Sequence, residues 1–299
     1  MWEPDPAWLA VTGGTGTSTV GVWRTEREGH ALVVKRLGVP GPDDPPEYSE
    51  PHHFAYWRRE ADVAISGVTA ESPGLRATPT DVAEDDDGIT LTREWVEDAA
   101  LNGLYVAHAM GRFAGADLGR HRWLAVGQLR DRMRRVERRG GWPTLARTTV
   151  ADVADRLWVR RETLLRELDA LPLVPQHGDP AAQNLPGREG DEVIAIDWST
   201  VGHGPVGADL GLFLQNARED AEPLLDAYLM GLPEGVATAE EVSLGMRVSA
   251  AYTALSRAEW ALARVAGGEG ALAGKYRHPA VAPYLRRLQR QFPLIESLL

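Results

Sequence analysis

The residues with most chemical content are His177-Gly178-Asp179-Pro180-Ala181-Ala182-Gln183-Asn184, followed by the apolar run Val193-Ile194-Ala195-Ile196 and then Asp197-Trp198. An Asp in a loop can accept the hydrogen bond of a hydroxyl, an Asn five residues on can reach a metal ion, and an Asp ending a nearby strand can bridge metals. Magnesium takes such oxygen ligands. The arrangement H-x-D-x-x-x-x-N with a following apolar strand that ends in Asp is a phosphoryl-transfer pattern. The same residues also suit a hydrogen-bonded turn before a buried strand, with Asp and Asn as caps.

Two upstream residues favour the chemical reading. Lys35 closes the apolar stretch Ala31-Leu32-Val33-Val34, where a strand lysine can meet phosphates. Glu60 lies on the apolar stripe of a predicted helix, one turn from Trp57 and Ala64, and an unpaired carboxylate is costly to bury there. Lys35 is its obvious partner. Gly13-Gly14-Thr15-Gly16-Thr17-Ser18 lies between the first two predicted strands, where backbone N–H groups can face phosphates. Thr19 stands where G-x-G-x-x-G has its third glycine, so a flexible hairpin is also compatible with the run.

In these residues the sequence resembles the aminoglycoside phosphotransferase and choline kinase branch of the protein-kinase-like fold. The resemblance implies an α+β, two-lobed molecule, with a small antiparallel-sheet nucleotide-binding lobe over residues 1–96 and a larger, mainly helical lobe over 97–299 that holds the catalytic loop and the acceptor site. It implies Asp179 as catalytic base, Asn184 and Asp197 as metal ligands, and His177 and Asp209 as supports of the loop. Lys35, Glu60, Gly14, Gly16, Thr17, Glu94 and Val96 would bind ATP, the last two in the hinge Leu91–Val96. ATP with Mg2+ is the expected cofactor pair, with GTP left open. Gly178, where protein kinases usually have Arg, and Asp197-Trp198 in place of Asp-Phe-Gly point to small-molecule acceptors. Ser199 departs from the acidic residue often found after that pair, a hint about substrate fit. Only Ser199–Ala208 separates Asp197 from Asp209, too short for a protein kinase's activation segment.

The elements that must position these residues follow from patterning. Trp8–Val11, Val20–Thr25 and Ala31–Leu37 read as strands, a proline-rich acidic loop follows, and a helix is predicted from near His53 with Trp57, Ala61, Ala64 and Ile65 on one face. Strand character returns over Gly88–Trp95, after Glu84-Asp85-Asp86-Asp87, read as a solvated hairpin tip. Helices are predicted over Leu101–Gly119, Trp123–Arg138 and Val150–Leu171, the last with Thr149 and Asp152 as capping pair. Leu173–Asp197 is β-like; beyond Asp209 the chain reads helical, with a long helix from Thr238 and Glu241 to Gly267-Gly268. Acceptor residues are expected in the loop after Asp197 and the helices beyond Asp209, with Glu97 and Asp98 also suited, and Trp198 lining a pocket.

Composition bounds the function. The 299 residues are 43% apolar, enough for a sizeable core, and contain no cysteine, which removes disulfides and thiolate chemistry and fits a reducing, cytoplasmic setting. No run approaches the ~18 apolar residues of a membrane span. A net charge of -11 argues against nucleic acid and favours a cationic acceptor through steering. The arginines at 130, 132, 134, 135, 138 and 139 read as a solvated helix face. There is no G-x-S-x-G elbow, H-E-x-x-H zinc motif or Walker A loop, and His203, His278 and His52-His53 lack ligand spacing. With the resemblance, the expectation is a kinase that moves the γ-phosphate of ATP to a hydroxyl of a small polar molecule, such as an aminoglycoside or other antibiotic. The alternatives are a metabolic kinase for an amino sugar, homoserine or choline-like acceptor, or a non-catalytic nucleotide-binding homologue. The protein is expected to be a monomer or homodimer, with neither membrane nor nucleic-acid partner.

Overall fold

The computed structural model describes residues 2–12, 16, 18–142, 149–265 and 276–299. Its N-terminal part is a five-stranded antiparallel sheet in the order β1-β2-β3-β6-β5, formed by β1 (Leu9–Ala10), β2 (Thr19–Arg27), β3 (His30–Gly38), β5 (Thr80–Asp85) and β6 (Gly88–Glu94). Glu28 and Gly29 turn between β2 and β3 with φ of 55° and 81°. β3 lies between β2 and β6, and Val33 through Leu37 are all buried along it, so Lys35 is carried into the interior by its neighbours. Leu37, Ala61, Ile89 and Leu91 form the small core beneath this sheet.

Helix α1 (Arg59–Ser66) closes that core. It begins six residues later than the apolar spacing suggested, and Ile65 is exposed while Val63 is buried. Arg59 supplies the reason. Its guanidinium donates to the carbonyls of Pro51, His53 and Phe54, as well as Trp123 and Ser199. Those carbonyls turn inward, and the segment before Arg59 therefore cannot spend them on a helical ladder.

The remainder is mainly helical. α2 (Gly103–Phe113) is shorter than expected at both ends, and Ala125–Val126, predicted helical, form strand β7. α3 (Gln128–Arg138) then follows Gly127, whose φ of 66° breaks the chain direction. The single helix expected over Val150–Leu171 is two, α4 (Thr149–Val159) and α5 (Arg161–Asp169), meeting at Arg160. Thr149 is the first helical residue of α4. α6 (Ala208–Leu214), α7 (Ala221–Gly231) and α8 (Ala239–Arg264) follow. Thr238 and Glu241 form the reciprocal capping box at the start of α8; the helix ends at Arg264, and Gly267-Gly268 lie outside the described residues. α9 (Ala282–Arg290) and α10 (Phe292–Glu296) end the chain.

Two three-stranded sheets hold the central loop. β4 (Leu75–Ala77), β10 (Glu192–Ala195) and β9 (Gly187–Glu189) form one, and β7, β11 (Gly202–Pro205) and β8 (Leu173–Gln176) form the other. β8 delivers His177 and β10 delivers Asp197, so the pairing of β8 with β11 fixes the first end of the motif and the pairing of β10 with β4 and β9 the second. Among the described residues no helix is long and apolar enough to cross a membrane.

Candidate active site

Lys35 Nζ lies 2.5 Å from Glu60 Oε2 and 2.8 Å from Asp197 Oδ1, while Arg93 Nη1 donates to Glu60 Oε1 at 3.0 Å. The four charges form one chain from the sheet, through α1, to the end of β10. Burial by itself would lower the Lys35 pKa, but the carboxylates of Asp197 and Glu60 outweigh it and raise the pKa, so the ammonium is firmly charged. Burial would likewise raise Asp197, yet the Lys35 ammonium holds it well below the ordinary carboxylate range. Asp197 itself has φ 60° and ψ 57°, a left-handed conformation uncommon outside glycine and typical of constrained sites.

The loop between β8 and β10 is tied from below. Asp209, on α6, accepts from the backbone N–H groups of His177 at 2.7 Å and Gly178 at 2.9 Å. Burial pushes its pKa up to about 6 even against those bonds and the neighbouring His177. The His177 ring is fully buried; its Nε2 donates to the Ile196 carbonyl at 3.0 Å, which leaves Nδ1 to accept the Asp179 N–H at 3.3 Å. Gly178 has φ of 82°, and a Cβ there would collide with the Thr200 carbonyl. Asn184 Nδ2 donates to the Asp179 carbonyl at 2.9 Å, leaving its Oδ1 available to a cation.

Other expected residues are placed differently. Gly16 is exposed before β2, whereas Gly14 and Thr17 lie outside the described residues. Glu94 ends β6 opposite Leu32, and among the described residues Val96 has no backbone partner for its N–H or C=O. Trp198 is 4% exposed and packed on His177 and Phe113, as a core residue. Glu97 and Asp98 are exposed. Residues 84–87 form the exposed tip of the β5–β6 hairpin, as expected, and from it Asp85 pairs with the buried Arg36 at 2.5 Å.

Sequence reading missed three contributors. Arg257, on α8, places Nη2 2.9 Å from Asp179 Oδ1. Gln128, at the start of α3, donates to the Gly178 carbonyl at 2.9 Å. The third is Arg59. No local pattern marks any of them, since their partners lie 50 to 140 residues away for Gln128, Arg257 and the Ser199 contact of Arg59.

Sheet, helical part and loop together define a small-molecule phosphotransferase of kinase-like fold. The chain belongs to the APH phosphotransferase enzyme family, whose model matches residues 10–241. None of the curated proteins matches it in sequence. Among solved structures, it is similar to a choline/ethanolamine kinase family protein from Mesorhizobium loti, with 20% identity over 93% of each chain and a TM-score of 0.53. It is also similar to the amicoumacin kinase hAmiN in complex with AMP-PNP, Ca2+ and Ami, with 13% identity over 99% of this chain and 93% of that one and a TM-score of 0.57. The GDP and kanamycin complex of APH(2")-IIia matches at 9% identity over 96% and 92% of the two chains, with a TM-score of 0.57.

Proposed function

We propose that this chain transfers the γ-phosphate of ATP to a hydroxyl of a small polar molecule. Residues 1–96 would bind the nucleotide and residues 97–299 the acceptor, with the base against the hinge around Glu94 and Val96. The observation that carries the reading is the buried chain Lys35–Glu60–Asp197, which charges the lysine and aligns it with the loop of Asp179. Such a pair is costly to bury without a use or a partner. Lys35 would meet the α- and β-phosphates while Glu60 fixes its position.

Asp197 and the free Oδ1 of Asn184 fit a hard cation such as Mg2+, which takes one or two protein oxygens and completes its shell with phosphates and water. Bound there, the ion supplies charge neutralisation on the phosphates. The acceptor oxygen forms a bond to the γ-phosphorus, the bond to the bridging oxygen breaks, and ADP leaves with that electron pair. Asp179 accepts the hydroxyl proton. His177, Asp209 and Gln128 hold the loop in place as this happens. The bound AMP-PNP and GDP of the two neighbours support a nucleoside phosphate and leave the choice between ATP and GTP to experiment. A need for ATP supports a cytoplasmic setting.

The acceptor of an antibiotic-modifying enzyme and that of a metabolic kinase are separated by incubation with Mg2+, ATP and a panel of aminoglycosides, peptide antibiotics, amino sugars, amino alcohols and hydroxy acids, read as a phosphate mass gain. Asp179→Asn should lower transfer by roughly 100- to 10,000-fold, as expected for a lost general base. Turnover near normal in that variant refutes the assignment of the base.

A further inference from the structure

A cavity of about 250 Å3 lies between α3, α8 and the β8–β11 pair. That volume falls below the roughly 300–1,000 Å3 of sites that take drug-sized ligands. Gln128, Gln176 and Thr200 line it, and these touch or flank His177-Gly178 through the Gln128 bond to Gly178 and the Thr200 bond to the His177 carbonyl. On α8 the side chains of Ser249 and Thr253 face it at helical spacing, and Arg257 follows one turn on, at Asp179. Arg257 and Asp179 themselves are not lining residues, and the wall is joined to the catalytic base by the α8 turn that follows Thr253.

Two features show a built polar site. Ser249 and Thr253 are each only 1% exposed, yet neither hydroxyl has a hydrogen-bond partner among the described residues. Buried hydroxyls are rarely left so. Arg132, one turn after Gln128 on α3, also lines the cavity. Its guanidinium stacks on Phe54 at 4.7 Å and has no carboxylate partner among the described residues. The other charges of the wall are spent, since Asp169 pairs with Arg130 at 2.5 Å, and beyond the wall Asp179 pairs with Arg257. Burial and the Arg257 charge push the Arg132 pKa down to about 10, against the pull of Asp179, which leaves it a cation at neutral pH. The whole chain carries a net charge of -11, but this wall offers an unpaired cation.

We propose that the acceptor is a small hydroxylated carboxylate, its carboxylate held by the guanidinium edge of Arg132 and by Arg257, and its hydroxyl presented to Asp179. This rests on the phosphotransferase reading and names its acceptor class. An incoming carboxylate competes with Asp179 for Arg257, which frees Oδ1 of Asp179 to take the hydroxyl's hydrogen bond. Ser249 and Thr253 supply hydrogen bonds to the acceptor's remaining polar atoms. The hydroxyl oxygen then joins the γ-phosphorus, ADP leaves, and the proton passes to Asp179.

The test uses the full chain with Mg2+ and labelled ATP. Hydroxy acids, including sugar acids and hydroxy amino acids, are each paired with their neutral amides; amino alcohols, aminoglycosides and sugar phosphates form further arms. Transfer should occur to hydroxy acids and fall at least about tenfold for the amides. Arg132→Gln should raise KM for the acid at least about tenfold, with KM for ATP nearly constant, and Arg132→Lys should recover part of the loss. Transfer only to amines or only to sugar phosphates overturns the carboxylate site but leaves phosphotransfer intact. ATP binding with transfer to no compound overturns it as well. A fall in kcat without a change in acceptor KM would reassign Arg132 to the phosphate. Absence of both ATP binding and transfer refutes the underlying phosphotransferase reading.

Discussion

Gly178 shows how a single residue type constrains the loop. At φ 82°, with the Thr200 carbonyl close to where a Cβ would stand, only glycine fits, and the arginine of protein kinases has no place there. Gly178→Ala should therefore shift the loop that carries Asp179 and lower kcat by at least about tenfold; a steady-state assay with whichever acceptor the panel identifies measures it. The ionised side chains at this site differ in what surrounds them. Lys35 and Asp197 keep each other charged despite burial, whereas Asp209 has only backbone donors and a neighbouring ring, and its pKa rises to about 6. Lys35, Glu60 and Asp197 were legible in the sequence because each has a distinctive local setting: a strand of apolar residues, an apolar helical stripe, the end of a buried strand. Arg257 was not, since nothing in the composition of α8 marks the one arginine that reaches Asp179.

At the scale of elements, Arg59 decides where α1 begins. All five of its N–H groups are taken by carbonyls from three separate segments, and its side chain is fully buried. Arg59→Met should leave those carbonyls unpaired and cost at least about 3 kcal/mol of stability, read from urea unfolding, with a matching loss of order in residues 51–58. A variant as stable as the parent would show that water replaces the guanidinium without cost. The same competition explains the misplaced helix boundaries. Apolar periodicity gives the face of an element, but the start of α1, the break at Arg160 and the strand β7 depend on partners far along the chain. By contrast, the start of α8 was legible because a capping box is local: Thr238 and Glu241 are three residues apart. β5 escaped the sequence reading because Thr80–Asp85 is polar and gains its strand character from pairing with β6.

For the whole molecule, stability should depend on pH through Asp209 in a direction opposite to the usual carboxylate. Its folded pKa of about 6 lies above the ordinary 3.8, so between those values the folded state binds more protons than the unfolded one. Stability then falls as pH rises from about 4 to 6 and is level above, as far as this group is concerned. Asp197, with its pKa lowered, acts in the reverse sense and withdraws stability at more acidic pH. Unfolding measured across pH 4–7 should show this fall, and Asp209→Asn should flatten it; an unchanged slope in that variant would assign the effect to another group. The sequence by itself picked out the residues that the fold brings together at the proposed phosphate end: the loop from His177 to Asn184, Asp197, and the Lys35 and Glu60 pairing, because those residues sit at fixed short spacings or on elements with a clear period. It also determined an α+β chain with a sheet first and helices after. Only the tertiary structure brought together the wall proposed for the acceptor. Packing of α3 against α8 brings Gln128 and Arg132 beside Ser249, Thr253 and Arg257, residues over a hundred positions apart. The overall acidic charge pointed toward a cation, and the fold set an unpaired arginine in that wall instead, since net charge counts every side chain while a site feels only those that folding places within a few ångströms.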